Sequence, residues 1–218
     1  MLTLPVQAGR AAADPLARIL VIGRSESVLS EAVTILREKG HAAGATNEFD
    51  RALDLFDAGQ LDLVVFGGMV PPDTRDRLRE QISARNPAVA FVQGYAGIPG
   101  LIAAQAEAAL SEGTTGPATS VSYDAPSRSI GLSLDRPQDV TVIAWWHTSF
   151  VPPEPKSTSR VILDQELPAG AHAIAIPDEV PAHASFATVS IGPSVHTFIV
   201  GPMPSGTTMA RFPDPSSQ

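Results

Sequence analysis

Leu61-Asp62-Leu63-Val64-Val65-Phe66-Gly67-Gly68-Met69-Val70-Pro71-Pro72, residues 61–72, is the stretch that decides the fold. A continuous apolar run bounded by turn residues is typical of a strand that is buried on both faces of a parallel sheet. The glycines and prolines then mark the carboxyl end of this strand, and that edge of an α/β sheet is where ligands bind. The stretch therefore predicts a central strand that ends at a candidate site.

The segments on either side of this strand alternate between strand and helix patterns. Residues 18–23 and 88–94 are further apolar runs closed by glycine, and residues 41–46 form a weaker one. Apolar residues at helical spacing follow each run, at 25–40, 47–59, 72–86 and 99–113. After a flexible leader at 1–16, residues 17–112 are therefore predicted to form a doubly wound parallel sheet of the flavodoxin or receiver-like kind.

The second half of the chain has a different pattern. Residues 113–118 have the composition of a linker, and beyond them the helical periodicity disappears. Short strand-like segments separated by turn residues occupy 119–123, 129–134, 140–148, 159–163, 171–176, 186–191 and 195–201. This regular spacing predicts an antiparallel β-sandwich over residues 119–203, immunoglobulin- or fibronectin-like in pattern, followed by a tail at 204–218.

Two adjacent tryptophans lie in the strand predicted at 140–148. Since side chains alternate across a strand, Trp146 shares a face with Val142 and Ala144, and Trp145 takes the opposite face. We expect one tryptophan in the core and the other at a rim or an interface.

Composition bounds the functions that the chain can have. With 44% hydrophobic and 17% charged residues, the 218-residue chain has the make-up of a folded globular protein. A net charge of −8 argues against a nucleic-acid partner, and the absence of cysteine excludes disulfides and thiolate chemistry. No apolar window is long enough for a membrane span and no targeting segment is recognisable, so we expect a cytoplasmic protein with no membrane partner.

The turn after the first strand can be compared with the dinucleotide fingerprint G-x-G-x-x-G. Gly23 matches its first glycine, but Ser25 and Val28 replace the other two. Glu48 lies at about the right distance downstream to bind a ribose. A nucleotide- or NAD(P)-binding Rossmann-type enzyme is therefore the alternative reading, and its candidate cofactor-binding residues are Gly23, Ser25, Glu48, Gly67, Gly68 and Gly94.

Residues 18–110 resemble the CheY-like receiver domain of response regulators. The best match is 62–71, which is similar to the receiver pattern D-L-V-L-L-D-x-M-M-P and places Gly67 where receivers have the phosphoacceptor aspartate. The acidic pair that binds magnesium in receivers aligns near Arg24 and Ser25, and the hydroxyl residue that ends the fourth strand aligns with Gln93 or Gly94. No fifth strand with the family's lysine follows. The resemblance therefore implies a degenerate receiver that cannot be phosphorylated.

Other catalytic patterns are weak. His147, His172, His183 and His196 show no close metal-binding spacing, so neither a metal nor another cofactor is expected. There is no G-x-S-x-G elbow. The sequence thus favours a non-catalytic regulatory or scaffold protein that binds a protein partner or associates with itself.

Overall fold

The computed structural model describes residues 1–7, 16–111, 120–149 and 156–202. Its N-terminal part is built on a five-stranded sheet with the order β1-β3-β2-β4-β5. The strands are β1 (Thr3–Gln7), β2 (Arg18–Ile22), β3 (Ala42–Thr46), β4 (Leu63–Phe66) and β5 (Ala90–Gln93). Strands β2 to β5 are parallel, as predicted, and the apolar run at 61–72 supplies the buried strand β4.

Helices cover both faces of this sheet. They are α1 (Glu26–Glu38), the single-turn α2 (Ala52–Leu55), α3 (Pro72–Arg85) and α4 (Pro99–Ser111). Val21 and Val65 face α1 and α4, whereas Val64 and Phe66 face α2 and α3. Residues 19–22 of β2 and 63–66 of β4 are therefore all apolar, because water contacts neither face of these strands.

Strand β1 corrects the prediction of a flexible leader at 1–16. Thr3–Gln7 pairs antiparallel with β3, so the sheet is mixed rather than purely parallel. The backbone N–H of Leu2 also donates to Asn47 Oδ1 at 2.7 Å. Five residues containing a proline carry little strand signal alone, and their order comes from pairing with a segment distant in sequence. Residues 8–15 of the predicted leader lie outside the described part.

The helix expected at 47–59 is also corrected. Three-residue 3₁₀ turns at Phe49–Arg51 and Ala58–Gln60 flank the short α2. Phe56 leaves the helix with an extended backbone (φ −130°, ψ 133°) and is only 6% exposed. Burial of this aromatic side chain decides the local conformation against the helical periodicity.

The C-terminal part consists of two antiparallel sheets, with the orders β10-β7-β6 and β12-β11-β8-β9. Each strand-like segment of the sequence forms one of these strands. Their bounds are β6 (Ser120–Asp124), β7 (Ser129–Leu134), β8 (Gln138–Ser149), β9 (Lys156–Leu167), β10 (Gly170–Ala175), β11 (Ser185–Ile191) and β12 (Ser194–Gly201). The α/β part is therefore followed by antiparallel sheets, as predicted. The predicted linker at 113–118 and tail at 204–218 lie outside the described residues.

One hydrophobic core joins the two antiparallel sheets. It contains Ile130 and Leu132 of β7 together with Val142 of β8 and Val189 of β11. In β7 and β8 these positions alternate with exposed or half-buried ones, which is the pattern of sheets with one buried face. Strand β11 is buried on both faces from Ser185 to Val189, and Phe186 on its other face packs with Leu101. Trp146 packs against this core, as expected for one of the two tryptophans.

Helix α4 lies between the two parts of the molecule. Ile102 and Ala106 pack into the core that α4 shares with α1, whereas Leu101 packs with Phe186 of β11 and with Trp145. A helix that is apolar around its circumference is one that is buried on several sides. Trp145 is thus the interface tryptophan, and its Nε1 donates to Thr188 Oγ1 at 3.0 Å.

None of the helices in the described parts of the chain has the length and apolar composition that crossing a bilayer requires.

Candidate functional site

The carboxyl ends of the parallel strands bring three of the predicted glycines together. A Cβ atom on Gly67 would lie 3.4 Å from the Cα of Gly23, and one on Gly94 would lie 3.7 Å from the Cα of Gly67. Gly68 is exposed, and a Cβ there would lie 3.6 Å from the carbonyl oxygen of Gly94. We call this edge, formed by Gly23, Gly67, Gly68 and Gly94, the glycine rim.

Three of the four glycines of the glycine rim donate their N–H groups to backbone hydrogen bonds of the sheet. The N–H of Gly23 donates to Thr46 O at 3.2 Å, that of Gly67 to Ile22 O at 2.7 Å, and that of Gly94 to Phe66 O at 2.7 Å. A phosphate-binding turn needs N–H groups that point at the ligand. These three glycines therefore let neighbouring strands approach each other, and they offer no donor to a phosphate.

The other two candidate residues have structural partners. Ser25 is the N-cap of α1, and its Oγ accepts from the N–H of Val28 at 3.4 Å. Glu48 accepts from Thr3 Oγ1 at 2.9 Å through one carboxylate oxygen and from Arg51 Nη1 at 2.8 Å through the other. Its side chain is only 11% exposed. Glu48 thus fastens β1 to the sheet and does not present its carboxylate to a ribose.

Two glutamine side chains connect the strands of the rim by hydrogen bonds, and of these the sequence patterns did not single out Gln105. Gln93 donates through Nε2 to the carbonyls of Phe66 and Gly67, at 3.3 and 3.4 Å. The buried Gln105 of α4 accepts from the N–H of Tyr95 at 3.0 Å and donates to Gln93 O at 3.4 Å. A glutamine in an otherwise apolar helix is the sequence feature that could have identified Gln105, because a buried amide needs hydrogen-bond partners.

Two arginines add positive charge beside the rim. Arg24 donates through Nε to Met69 O at 3.2 Å, and its guanidinium lies 5.7 Å from the ring centroid of Phe49. Arg75 donates to Gln93 Oε1 at 3.1 Å and contacts Asp76 at 3.2 Å. A guanidinium near Gly67 is the opposite of what Mg²⁺ binding requires, because hard cations take oxygen ligands.

The histidines of the described ranges are not gathered into one site. No group of three or more histidine, aspartate or glutamate side chains in the described ranges could hold a metal ion. His41 is 5% exposed, and its Nε2 lies 2.5 Å from Glu107 Oε1, with Lys39 Nζ 3.6 Å from Oε2. Burial opposes ionisation of this carboxyl, but the hydrogen bond from His41 and the charges of Lys39 and His41 hold the pKa of Glu107 below its ordinary value. The pair links the end of α1 to α4.

Replacing His196 by leucine is expected to stabilise the protein, by about 1 kcal/mol near pH 8 and by more at lower pH. His196 is on the face of β12 that also carries Phe198 and Val200, and its Nε2 is buried without a hydrogen-bond partner among the described residues. Burial lowers the pKa of His196 below the ordinary value of a histidine side chain. The unfolded chain therefore binds more protons, and the wild type loses stability as the pH falls below about 6.5.

Urea unfolding of H196L and wild type at about pH 8 and pH 5.5 measures this difference. The exposed His183, replaced in the same way, is the control and should leave the pH dependence unchanged. A gap between H196L and wild type that narrows toward acid pH would contradict the prediction.

These features define a class of protein: a mixed α/β part with glycines at its strand ends, packed through α4 against antiparallel β-sheets. No family model and no curated protein matches the chain. Among solved structures it is similar to a β-glucosidase from Erythrobacter marinus, with 9% identity over 90% of this chain and 48% of that one, and a TM-score of 0.31. The chain spans about half the length of that structure. A likeness at this level carries no inference about activity.

Proposed function

We propose that the chain is a non-catalytic regulatory or scaffold protein, a receiver-like domain that cannot be phosphorylated joined to an immunoglobulin-like β-sandwich that binds a partner. The observation that carries the proposal is the composition of the glycine rim. Its three inner N–H groups are consumed by the sheet, and glycine stands where the receiver alignment requires the phosphoacceptor.

The strand order is consistent with the receiver reading. The parallel strands follow the order β3-β2-β4-β5, which corresponds to 2-1-3-4 when they are counted from β2. This is the order of flavodoxin-like sheets without their fifth strand. Helix α4 follows the last of these strands directly and packs beside α1. The order of these four strands supports the proposal that the α/β part is receiver-like.

Loss of the chemistry follows from the residues at the rim. Phosphoryl transfer to a carboxylate needs the nucleophile and oxygen ligands for a metal that neutralises the phosphoryl oxygens. At the aligned positions the chain has Gly67, Arg24 and Ser25, and Arg24 reaches across to Met69. A domain without this chemistry can still act by binding a partner.

Incubation with acetyl phosphate and Mg²⁺ is expected to add no phosphoryl group to the wild type or to Gly67→Asp. Restoring the acceptor carboxylate alone does not restore the metal ligands, and Arg24 remains beside the new side chain. Intact-mass spectrometry measures the labelling. Gly67→Ala controls for the effect of a side chain at this position, where the neighbouring backbone lies 3.4 Å from the Cβ.

Labelling of the wild type would overturn the proposal. Labelling of Gly67→Asp but not of Gly67→Ala would show that a functional metal site survives, which contradicts the degenerate reading. A thermal-shift series with NAD(P), ATP and flavins addresses the Rossmann-type enzyme, and we expect no stabilisation by any of them.

A further inference from the structure

Strand β9 is a long free edge. In the described part of the chain it is the last strand in the order β12-β11-β8-β9, and eleven of its twelve residues pair with β8 on one side only. The edges of the N-terminal sheet are shorter, with four residues in β5 and five, including Pro5, in β1. Strand β12, at the other end of the same sheet, packs beside α4, and its Val195 N–H donates to Ser111 Oγ at 3.3 Å. Unpaired edges are templates for strand addition.

The side chains of β9 leave this edge accessible. Val161 is 55% exposed although valine favours strands, and the strand contains no proline. Natural edges are commonly protected by proline, charged side chains, bulges, short length or a covering element, and β9 has charges and a bulge but no proline and twelve residues. Among the described residues no strand pairs with the outer side of β9, so its backbone groups there have no strand partner.

The charges on β9 are separated along its length. Lys156 and Arg160 lie in its first half, and Asp164 and Glu166 lie in its second half. A second β9 placed antiparallel brings the basic half of each strand against the acidic half of the other. A parallel arrangement would place like charges together, which is destabilising. The edge is therefore complementary to itself in the antiparallel direction.

We propose that two copies of this chain associate through antiparallel pairing of their β9 strands about a two-fold axis. The two four-stranded sheets then form one continuous eight-stranded sheet, and the occupant of the edge is a second copy of the same surface. The inference rests on the proposed function, because it names the chain itself as the partner that the binding protein takes. Such an interface stops at the dimer, because each copy has one β9 edge and uses it in the pairing.

A bulge shapes the pairing. Val142 pairs with Leu163 and Ile143 with Val161, so Ile162 is an extra residue that interrupts the ladder with β8. A bulge bends the strand and increases its twist. It separates the basic segment of β9 from the acidic one, and each segment pairs with the opposite segment of the other copy. Arg160 also pairs with Glu179 within the chain, at a half-exposed position.

Sedimentation velocity of the full chain at about 1 to 100 μM tests the proposal, because it separates monomer from dimer and detects dissociation constants in this concentration range. The wild type is expected to dimerise. Lys156→Glu and Glu166→Lys each place like charges together and should weaken the dimer about tenfold or more. The double variant K156E/E166K exchanges the two charges and should recover most of the affinity.

Glu31→Lys is the matched control, because Glu31 is exposed on α1 and the net charge changes as in Glu166→Lys. It should dimerise like the wild type. Lys156 and Glu166 are exposed, so heat unfolding should show that the variants remain folded. A monomeric wild type at the highest concentration, single variants that dimerise normally, or a double variant without recovery would each overturn the proposal. None of these results alters the phosphorylation test, so the two failures are distinguishable.

Discussion

Replacing Gly100 by alanine is expected to lower the free energy of unfolding by about 1 to 3 kcal/mol, the usual cost of overpacking. Helix propensity alone predicts the opposite sign, because alanine is favoured over glycine in a helix by about 1 kcal/mol. Gly100 lies in the first turn of α4, and a Cβ there would lie 2.3 Å from Cζ3 and Cη2 of Trp145. The sign of the effect therefore reports whether α4 packs against the second part of the molecule.

The indole of Trp145 cannot easily move away from such a methyl group. Its Nε1 donates to Thr188, and its ring belongs to the cluster that contains Leu101 and Phe186. Phe186 in turn stacks on Tyr95, with ring centroids 5.9 Å apart. The added methyl group would have to displace a side chain that is held from both sides.

Urea unfolding followed by tryptophan fluorescence measures the effect of G100A. Gly131→Ala is the control, because Gly131 is a strand glycine whose added Cβ would meet only Ser122 Oγ at 3.2 Å. Trp145→Phe supplies a smaller ring, so the double variant G100A/W145F should lose less than the sum of the two single variants. A G100A protein that is more stable than the wild type would contradict this packing of α4.

Replacing Gly44 by alanine is expected to release β1 from the sheet, at a cost of about 2 to 3 kcal/mol. A Cβ on Gly44 would lie 2.6 Å from Leu4 O and 2.7 Å from Val6 N, which are backbone atoms of the paired strand. Relief of this clash requires β1 to move, because Gly44 is held on its other side by the parallel strand β2. Displacement of β1 also removes Val6 from the core on the α2 and α3 face.

Hydrogen exchange of the amides in 2–7 is the direct measurement for G44A. Protection of these amides should fall to that of an open segment while β2 and β4 remain protected. Gly131→Ala, with the same substitution in another sheet, should leave the protection of residues 2–7 unchanged. Unaltered protection of this segment in G44A would show that the glycine is not what admits β1.

Both predictions concern glycines that lie outside the glycine rim. Gly44 and Gly100 are small because a strand and an indole ring occupy the space where a side chain would lie. At the rim, Gly67 and Gly94 pack on one another, and their N–H groups bond within the sheet. In all four cases the glycine accommodates another part of the protein.

The sequence by itself determined the types and order of most elements. Continuous apolar runs such as 61–72 specify strands buried on two faces, and alternation over 119–201 specifies strands with one buried face, because each pattern depends only on local periodicity. It also predicted that Trp145 and Trp146 take opposite environments, since adjacent residues of a strand face opposite ways. It did not reveal β1, whose five residues gain order only from pairing with β3.

The hydrogen-bond partners of the rim glycines and of Glu48 depend on the folded chain and could not be predicted from the sequence. A glycine at a strand end admits either a ligand or a neighbouring backbone, and residue type does not distinguish the two. The fold brings together segments that are distant in sequence. As a result, the N–H of Gly67 donates to Ile22 O, and the two carboxylate oxygens of Glu48 accept from Thr3 and Arg51. Because hydrogen-bonding groups satisfied within the fold are not available to a ligand, pairing across the sheet removes the N–H groups of Gly23, Gly67 and Gly94 from those that a ligand could use.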